Sequence, residues 1–153
     1  MEDRTMHRIV LTAFALACLL SPTAAQAETI RPQRISKSEI AGEIFLRPGA
    51  VEEGEGGNAS TDVVTFTSAD SAFQTGVYKS GPAHEEIKGP AGLPYTEFLY
   101  FISGSVTLTD TDGAVMVVNA GEAVTLPKGW TGLYDTQGYT KMYVTYKPDD
   151  MKK

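Results

Sequence analysis

The chain has 153 residues, 42% of them hydrophobic, with 19 acidic residues against 13 basic ones and a formal net charge of −6. That length suits one domain around a single core. The acidic balance argues against nucleic acid and anionic membrane as partners, and a single cysteine excludes a disulfide framework.

The first segment reads as a targeting signal. Arg4 and Arg8 precede an apolar run from Ile9 to Leu20, and Ala25-Gln26-Ala27 closes the stretch. A basic start, a short apolar core and a small-x-small exit predict a secretory signal peptide over residues 1–27. The run is shorter than the roughly 20 residues a permanent anchor needs. Ala15-Leu16-Ala17 before Cys18 is a poor lipidation signal, so plain cleavage after Ala27 is expected. The product is periplasmic or secreted, free of the membrane, and begins at Glu28. Cleavage removes Glu2, Asp3, Arg4 and Arg8, which cancel, together with the only cysteine and one of the two histidines. His84 alone remains, so a three-histidine metal site within one chain is excluded.

Residues 28–62 read as an N-terminal arm and an acidic Gly-rich loop. Ser36-Lys37-Ser38-Glu39 fits a capping box, in which the hydroxyl caps a backbone N–H and the glutamate reaches back, and predicts a helical turn through Ile40. Residues 47–62 are rich in Gly and Glu and read as a surface loop. From Val63 the pattern changes to short runs of β-branched and aromatic residues. Strands are predicted at Val63–Thr67, Gly76–Lys79, Phe98–Ser103, Ser105–Thr109, Val115–Val118, Ala123–Leu126, Thr131–Tyr134 and Lys141–Tyr146. Asp112-Gly113 marks a hairpin. Gly104 suggests a tight turn, and Pro127 with Gly129 another. Many short strands at regular spacing favour a sandwich or barrel over 63–153.

In the strand from Glu97, Leu99 and Phe101 share the glutamate's face, and Phe98, Tyr100 and Ile102 share the other. Both faces are apolar, whereas a half-exposed strand alternates apolar with polar. One face must line the barrel. The other needs cover from the arm or from a second subunit, and a homodimer is the expected arrangement.

Two motifs stand out. Glu97 is followed by Gly104 in EFLYFISG, and Gly121 by Pro127-Lys128-Gly129 in GEAVTLPKG. Their order and spacing resemble the two signatures of the cupin superfamily. YTEFLYFISGSVTLTDTDG, AGEAVTLPKGWTG and KMYVTY are similar to the cupins around ureidoglycine aminohydrolase and the ethanolamine-utilisation cupin. The resemblance implies an all-β, single-domain jelly-roll barrel with a short N-terminal arm. In metal-binding cupins the motifs carry three histidines beside the glutamate. Here the first pair falls on Pro90 and Gly92, or on Ala91 and Leu93, and the third on Gly132. Only Glu97 remains, so no metal and no other cofactor is expected.

The resemblance puts Glu97 inside the barrel. A carboxylate in such a place needs a compensating cation or it takes up a proton. Glu97 is therefore either a general acid or base or an inherited barrel carboxylate satisfied by a hydroxyl or by Lys141. Lys141 and Tyr143 share a strand face, which in the resembling subgroup points into the pocket. Lys141 would bind a ligand carboxylate or pair with Glu97; the plainer reading is an edge-strand lysine that deters aggregation. Tyr95, Tyr100, Trp130 and Tyr134 add aromatic surface, with Tyr95 and Trp130 as ligand-contacting candidates and Tyr100 as packing. His84-Glu85-Glu86 is a thin set for zinc or iron and reads as a solvated charged patch.

These readings lead to an exported, metal-independent cupin that binds a small polar metabolite through Glu97, Lys141, Tyr143, Trp130 and Tyr95. The alternatives are an enzyme of hydrolase or isomerase type, with Glu97 as acid/base and Lys141 orienting the substrate, and a barrel retained only as a structural or interaction module.

Overall fold

The computed structural model describes residues 31–148. The expected signal segment and Cys18 lie outside them.

The arm opens on the helical turn that its capping box dictates. Helix α1, Lys37–Ile40, has Ser36 at its N-cap: the Ser36 hydroxyl accepts from the Glu39 N–H while Glu39 accepts from the Ser36 N–H. Glu39 also receives the Arg47 guanidinium. These donors, the Ser36 backbone first, hold its carboxyl down to about 2. A 3-10 turn at Glu43–Leu46 follows and buries Ile44 completely.

Nine strands follow among the described residues: β1 Val51–Glu53, β2 Ser60–Thr67, β3 Phe73–Ser80, β4 Ala83–Ile87, β5 Thr96–Asp110, β6 Val115–Asn119, β7 Ala123–Leu126, β8 Gly132–Thr136 and β9 Tyr139–Tyr146. All pairings are antiparallel, in the order β1-β2-β3-β9-β5-β8-β4, with β6 and β7 also on β5. Strand β5 is the hub. Its first half pairs with β9 and β7, its second half with β6 and β8. One long strand thus serves two sheets, and the sheet curls about it into a jelly-roll barrel.

Gly104 sits where β5 changes partners. The sequence suggests a turn between two strands there, but β5 continues through Gly104 without reversing. Its φ of 72° is left-handed, and a Cβ there would lie 2.0 Å from the Gly138 carbonyl oxygen. The glycine is used for a bend and a close approach to β9 rather than for a reversal. The register of β5 against β9 shifts just before it, between Phe101 and Ser103.

The hairpin at Asp112-Gly113 forms as expected between β5 and β6, with the Ala114 N–H donating to Asp112 Oδ1. The acidic loop is more ordered than its composition suggests. Val51–Glu53 pairs with Ser60–Asp62, so the sheet begins inside the stretch read as arm and loop. In sequence, strand β4 reads as a charged surface patch, because AHEEI carries little apolar character. Its backbone pairing with β8 decides its structure.

Two packed clusters hold the fold. The interior of the barrel contains Leu93, Leu99, Phe101, Val106, Leu108, Val118, Leu126, Tyr134, Tyr139 and Tyr143. A smaller cluster, Ile44, Val63 and Val77, lies where the arm crosses the outer face, with Ile35, Phe45, Ile102 and Met142 against it. The arm therefore covers Ile102 on the outer face of β5, while Phe98 and Tyr100 on the same face stay exposed.

Candidate functional site

Period-two alternation puts Glu97, Leu99 and Phe101 of β5, and Tyr139, Lys141, Tyr143 and Thr145 of β9, on the concave face of the sheet. Strand β3 adds Gln74, Gly76 and Tyr78 by register, and β2 adds Asp62. The polar and aromatic residues of this face, with residues of β4 and β8, bound an open cavity of about 530 Å³, while Leu99 and Phe101 pack in the core beneath it. Glu97, Lys141, Tyr143 and Tyr95 all line it, joined by Asp62, Tyr78, Glu85, Tyr134, Tyr139 and Lys147.

Lys141 and Glu97 meet there. Lys141 Nζ donates to Glu97 Oε1 at 3.4 Å. Glu97 stands opposite Thr145, whereas Lys141 stands opposite Phe101. The lysine stem must therefore run along the strands to reach the carboxylate. Both residues are buried, at 7% and 9% exposure. Burial pushes the Lys141 ammonium below its ordinary range, and the neighbouring Glu97 charge pulls it part of the way back. Three tyrosine rings surround the same nitrogen, with centroids 5.5 Å (Tyr78), 5.6 Å (Tyr134) and 5.3 Å (Tyr139) away. Their π-faces stabilise positive charge in a place short of water.

A second polar pair lies beside the first. The Tyr143 hydroxyl donates to Asp62 Oδ1 at 3.0 Å. Tyr143 is on β9 and Asp62 on β2, so the ring must cross β3 between them. It crosses at Gly76, where a Cβ would come within 2.3 Å of the ring. A glycine inside a strand often marks such a close approach, and here it decides which way the tyrosine points. Desolvation raises the Asp62 carboxyl, with the Tyr143 hydrogen bond and the Lys141 charge opposing it.

The tyrosines are otherwise kept neutral. Burial raises Tyr95, Tyr134, Tyr139 and Tyr143 above the ordinary phenol range. The Tyr134 hydroxyl is buried with no hydrogen bond of acceptable geometry among the described residues, although Tyr139 is near enough for the two phenols to influence each other. A buried polar group left in this condition is uncommon and calls for a cause.

Trp130 does not belong to this cavity. Its indole N–H donates to Asp110 Oδ1 at 2.6 Å and its ring packs beside Gly132. The turn at Pro127-Lys128-Gly129, closed by the Trp130 N–H on the Pro127 carbonyl, directs the indole toward the β5–β8 edge. The patch at His84 also divides. His84 pairs with Asp135 and Glu86 with Lys88, both on the surface, whereas Glu85 turns the other way and borders the cavity.

The arrangement does not fit the metal that other cupins hold. Among the described residues no three His, Cys, Asp or Glu side chains are grouped closely enough for an ion. Two of the positions that would carry histidines are also sterically closed. A Cβ on Gly92 would lie 2.4 Å from the Gly129 carbonyl oxygen, and one on Gly132 would lie 2.4 Å from that of Thr109. The loop at Gly92 is tied down there by the Leu93 N–H on Trp130 and the Gly129 N–H on Leu93.

Residues 67–143 match the EutQ-like cupin domain. The chain belongs to that family. No curated protein matches the chain. Among solved structures, a protein of unknown function from Rhizobium leguminosarum bv. viciae is 18% identical, covering 76% of this cupin and 98% of its own chain, at a TM-score of 0.53. A putative ethanolamine utilization protein Q from Salmonella typhimurium is also 18% identical, covering 67% and 98%, at 0.50. A DUF861 family protein from Pseudomonas syringae pv. tomato is 20% identical, covering 63% and 43%, at 0.51. At such identities the likeness speaks for the cupin fold alone.

Sequence reasoning missed Asp62, Gly76, Tyr78, Glu85 and Tyr139. A glycine amid the β-branched and aromatic run GVYK was a usable signal. Asp62 gave none, since it closes a stretch that reads as loop.

Proposed function

We propose that this cupin binds a small polar metabolite inside its barrel without a metal ion. The observation that carries the reading is a cavity whose wall presents the buried Glu97–Lys141 pair and the Asp62–Tyr143 pair. A ligand hydroxyl or carbonyl would hydrogen-bond to these groups. The cavity volume matches those that take small molecules, and its donors and acceptors select a polar occupant.

The test is a thermal-shift screen of small polyols, amino alcohols and hydroxy-carbonyl compounds, repeated on Glu97→Gln and Tyr134→Phe. A ligand that stabilises the parent and loses its effect in both variants supports the reading. Ligand effects unchanged in both would refute it.

The exposed aromatic residues Phe66, Phe73, Phe98, Tyr100 and Tyr146 lie on the outer face of the sheet, and a second copy packed there forms a homodimer. The N-terminal signal pattern directs the protein to the periplasm or outside the cell.

A further inference from the structure

We infer that Lys141 captures a small neutral hydroxy-aldehyde or hydroxy-ketone through its side-chain nitrogen, first as a carbinolamine and then as an iminium ion. The inference rests on the cavity reading above and names its ligand class.

An amine that attacks a carbonyl must be unprotonated, desolvated and close to a group that takes and returns a proton. Lys141 lines the cavity and is almost wholly removed from water, and Glu97 Oε1 is 3.4 Å from its nitrogen. Burial pushes its ammonium toward the neutral amine. The three tyrosine rings around it offer their faces to positive charge, and they would serve an iminium as well as an ammonium.

The chemistry balances with the groups present. The ammonium of Lys141 gives a proton to the Glu97 carboxylate. The amine lone pair forms a C–N bond to the carbonyl carbon, and the π electrons move to oxygen. That oxygen takes the proton lost by nitrogen, giving the neutral carbinolamine. Glu97 then returns its proton to the hydroxyl, which leaves as water. The products are an iminium on Lys141 and a carboxylate on Glu97, so the buried charge pair is restored. No oxidant or reductant is consumed.

The remaining cavity groups select the ligand. Asp62, Glu85 and Glu97 outnumber the lining cations Lys141 and Lys147, which disfavours an oxo-acid. The Asp62–Tyr143 pair and the phenols suit hydroxyl groups beside a neutral carbonyl.

The test is reductive trapping. Folded protein is treated with glycolaldehyde and cyanoborohydride near neutral pH, followed by intact mass and peptide mapping. The expected result is a single hydroxyethyl adduct on Lys141, absent in Lys141→Arg, slower in Glu97→Gln, and replaced by indiscriminate lysine labelling in urea. Lys141→Arg is checked for a native circular dichroism spectrum. If Arg does not fold there, mapping of the parent protein decides alone. Adducts spread over the exposed lysines, with Lys141 unmodified in the folded protein, would overturn the inference. If carbonyl-free polyols still stabilise the protein in a Glu97-dependent way under that outcome, the cavity reading survives and only the imine is lost.

Discussion

Lys141 reaches Glu97 at 3.4 Å along the inside of the barrel, and both side chains are almost entirely out of water. Breaking such a pair from one side leaves an uncompensated charge. Lys141→Met is therefore expected to destabilise the fold by about 3–5 kcal/mol. The double variant Lys141→Met with Glu97→Leu should recover most of that loss, because it buries no lone charge. Urea unfolding of both single variants and the double variant checks this. A double-variant loss equal to the sum of the two single losses would mean that the pair carries no coupling.

Gly76 makes a second prediction. A methyl group there would collide with the Tyr143 ring. Gly76→Ala is expected to cost about 1–3 kcal/mol, as overpacking does, and to break the Tyr143–Asp62 hydrogen bond. Tyr143→Phe tests the same bond without the collision. It should cost less stability in the Gly76→Ala background than in the parent, since both changes remove one contact.

Much of the fold was legible and much of the site was not, for physical reasons. Alternation along β5 and β9 grouped Glu97 with Leu99 and Phe101, and Lys141 with Tyr143, because side-chain direction in a strand is a period-two property; the cupin resemblance supplied which of those faces is inward. The partner-switching bend at Gly104 was misread as a turn, since a glycine with positive φ looks the same in sequence whether the chain reverses or bends. Asp62 and Tyr78 join the site only through register on β2 and β3, which is a long-range property. Trp130 left the site because a single hydrogen bond to Asp110 fixes its indole, and a tryptophan beside a Pro-Lys-Gly turn carries no sign of which way it will point.

The neutral tyrosines set the alkaline limit. Tyr95, Tyr134, Tyr139 and Tyr143 are all raised above the ordinary phenol value of 10.0 in the folded chain. The unfolded chain therefore gives up these protons first. Their contribution is complete below pH 10.0 and is lost as the pH climbs through the folded values. Tyrosinate absorbance from these four is expected to appear in step with the loss of β-sheet circular dichroism. Ionisation of Tyr134 well before unfolding would contradict the buried cavity.

The outer face supplies a prediction about assembly. Phe98 and Tyr100 stay exposed on a sheet whose neighbouring positions the arm covers. Sedimentation is expected to find a dimer that Tyr100→Glu converts to a folded monomer. A parent protein that sediments as a monomer at all concentrations would remove the second copy from the account.

The central claim is that a small polar ligand sits against Glu97, Lys141 and Tyr134. The most direct measurement is protein-observed NMR during titration with the compound that gives the largest thermal shift. The account predicts perturbations concentrated on Asp62, Glu97, Tyr134, Lys141 and Tyr143, which disappear in Glu97→Gln. Perturbations confined to the outer face of the sheet, with these residues unmoved, would contradict it.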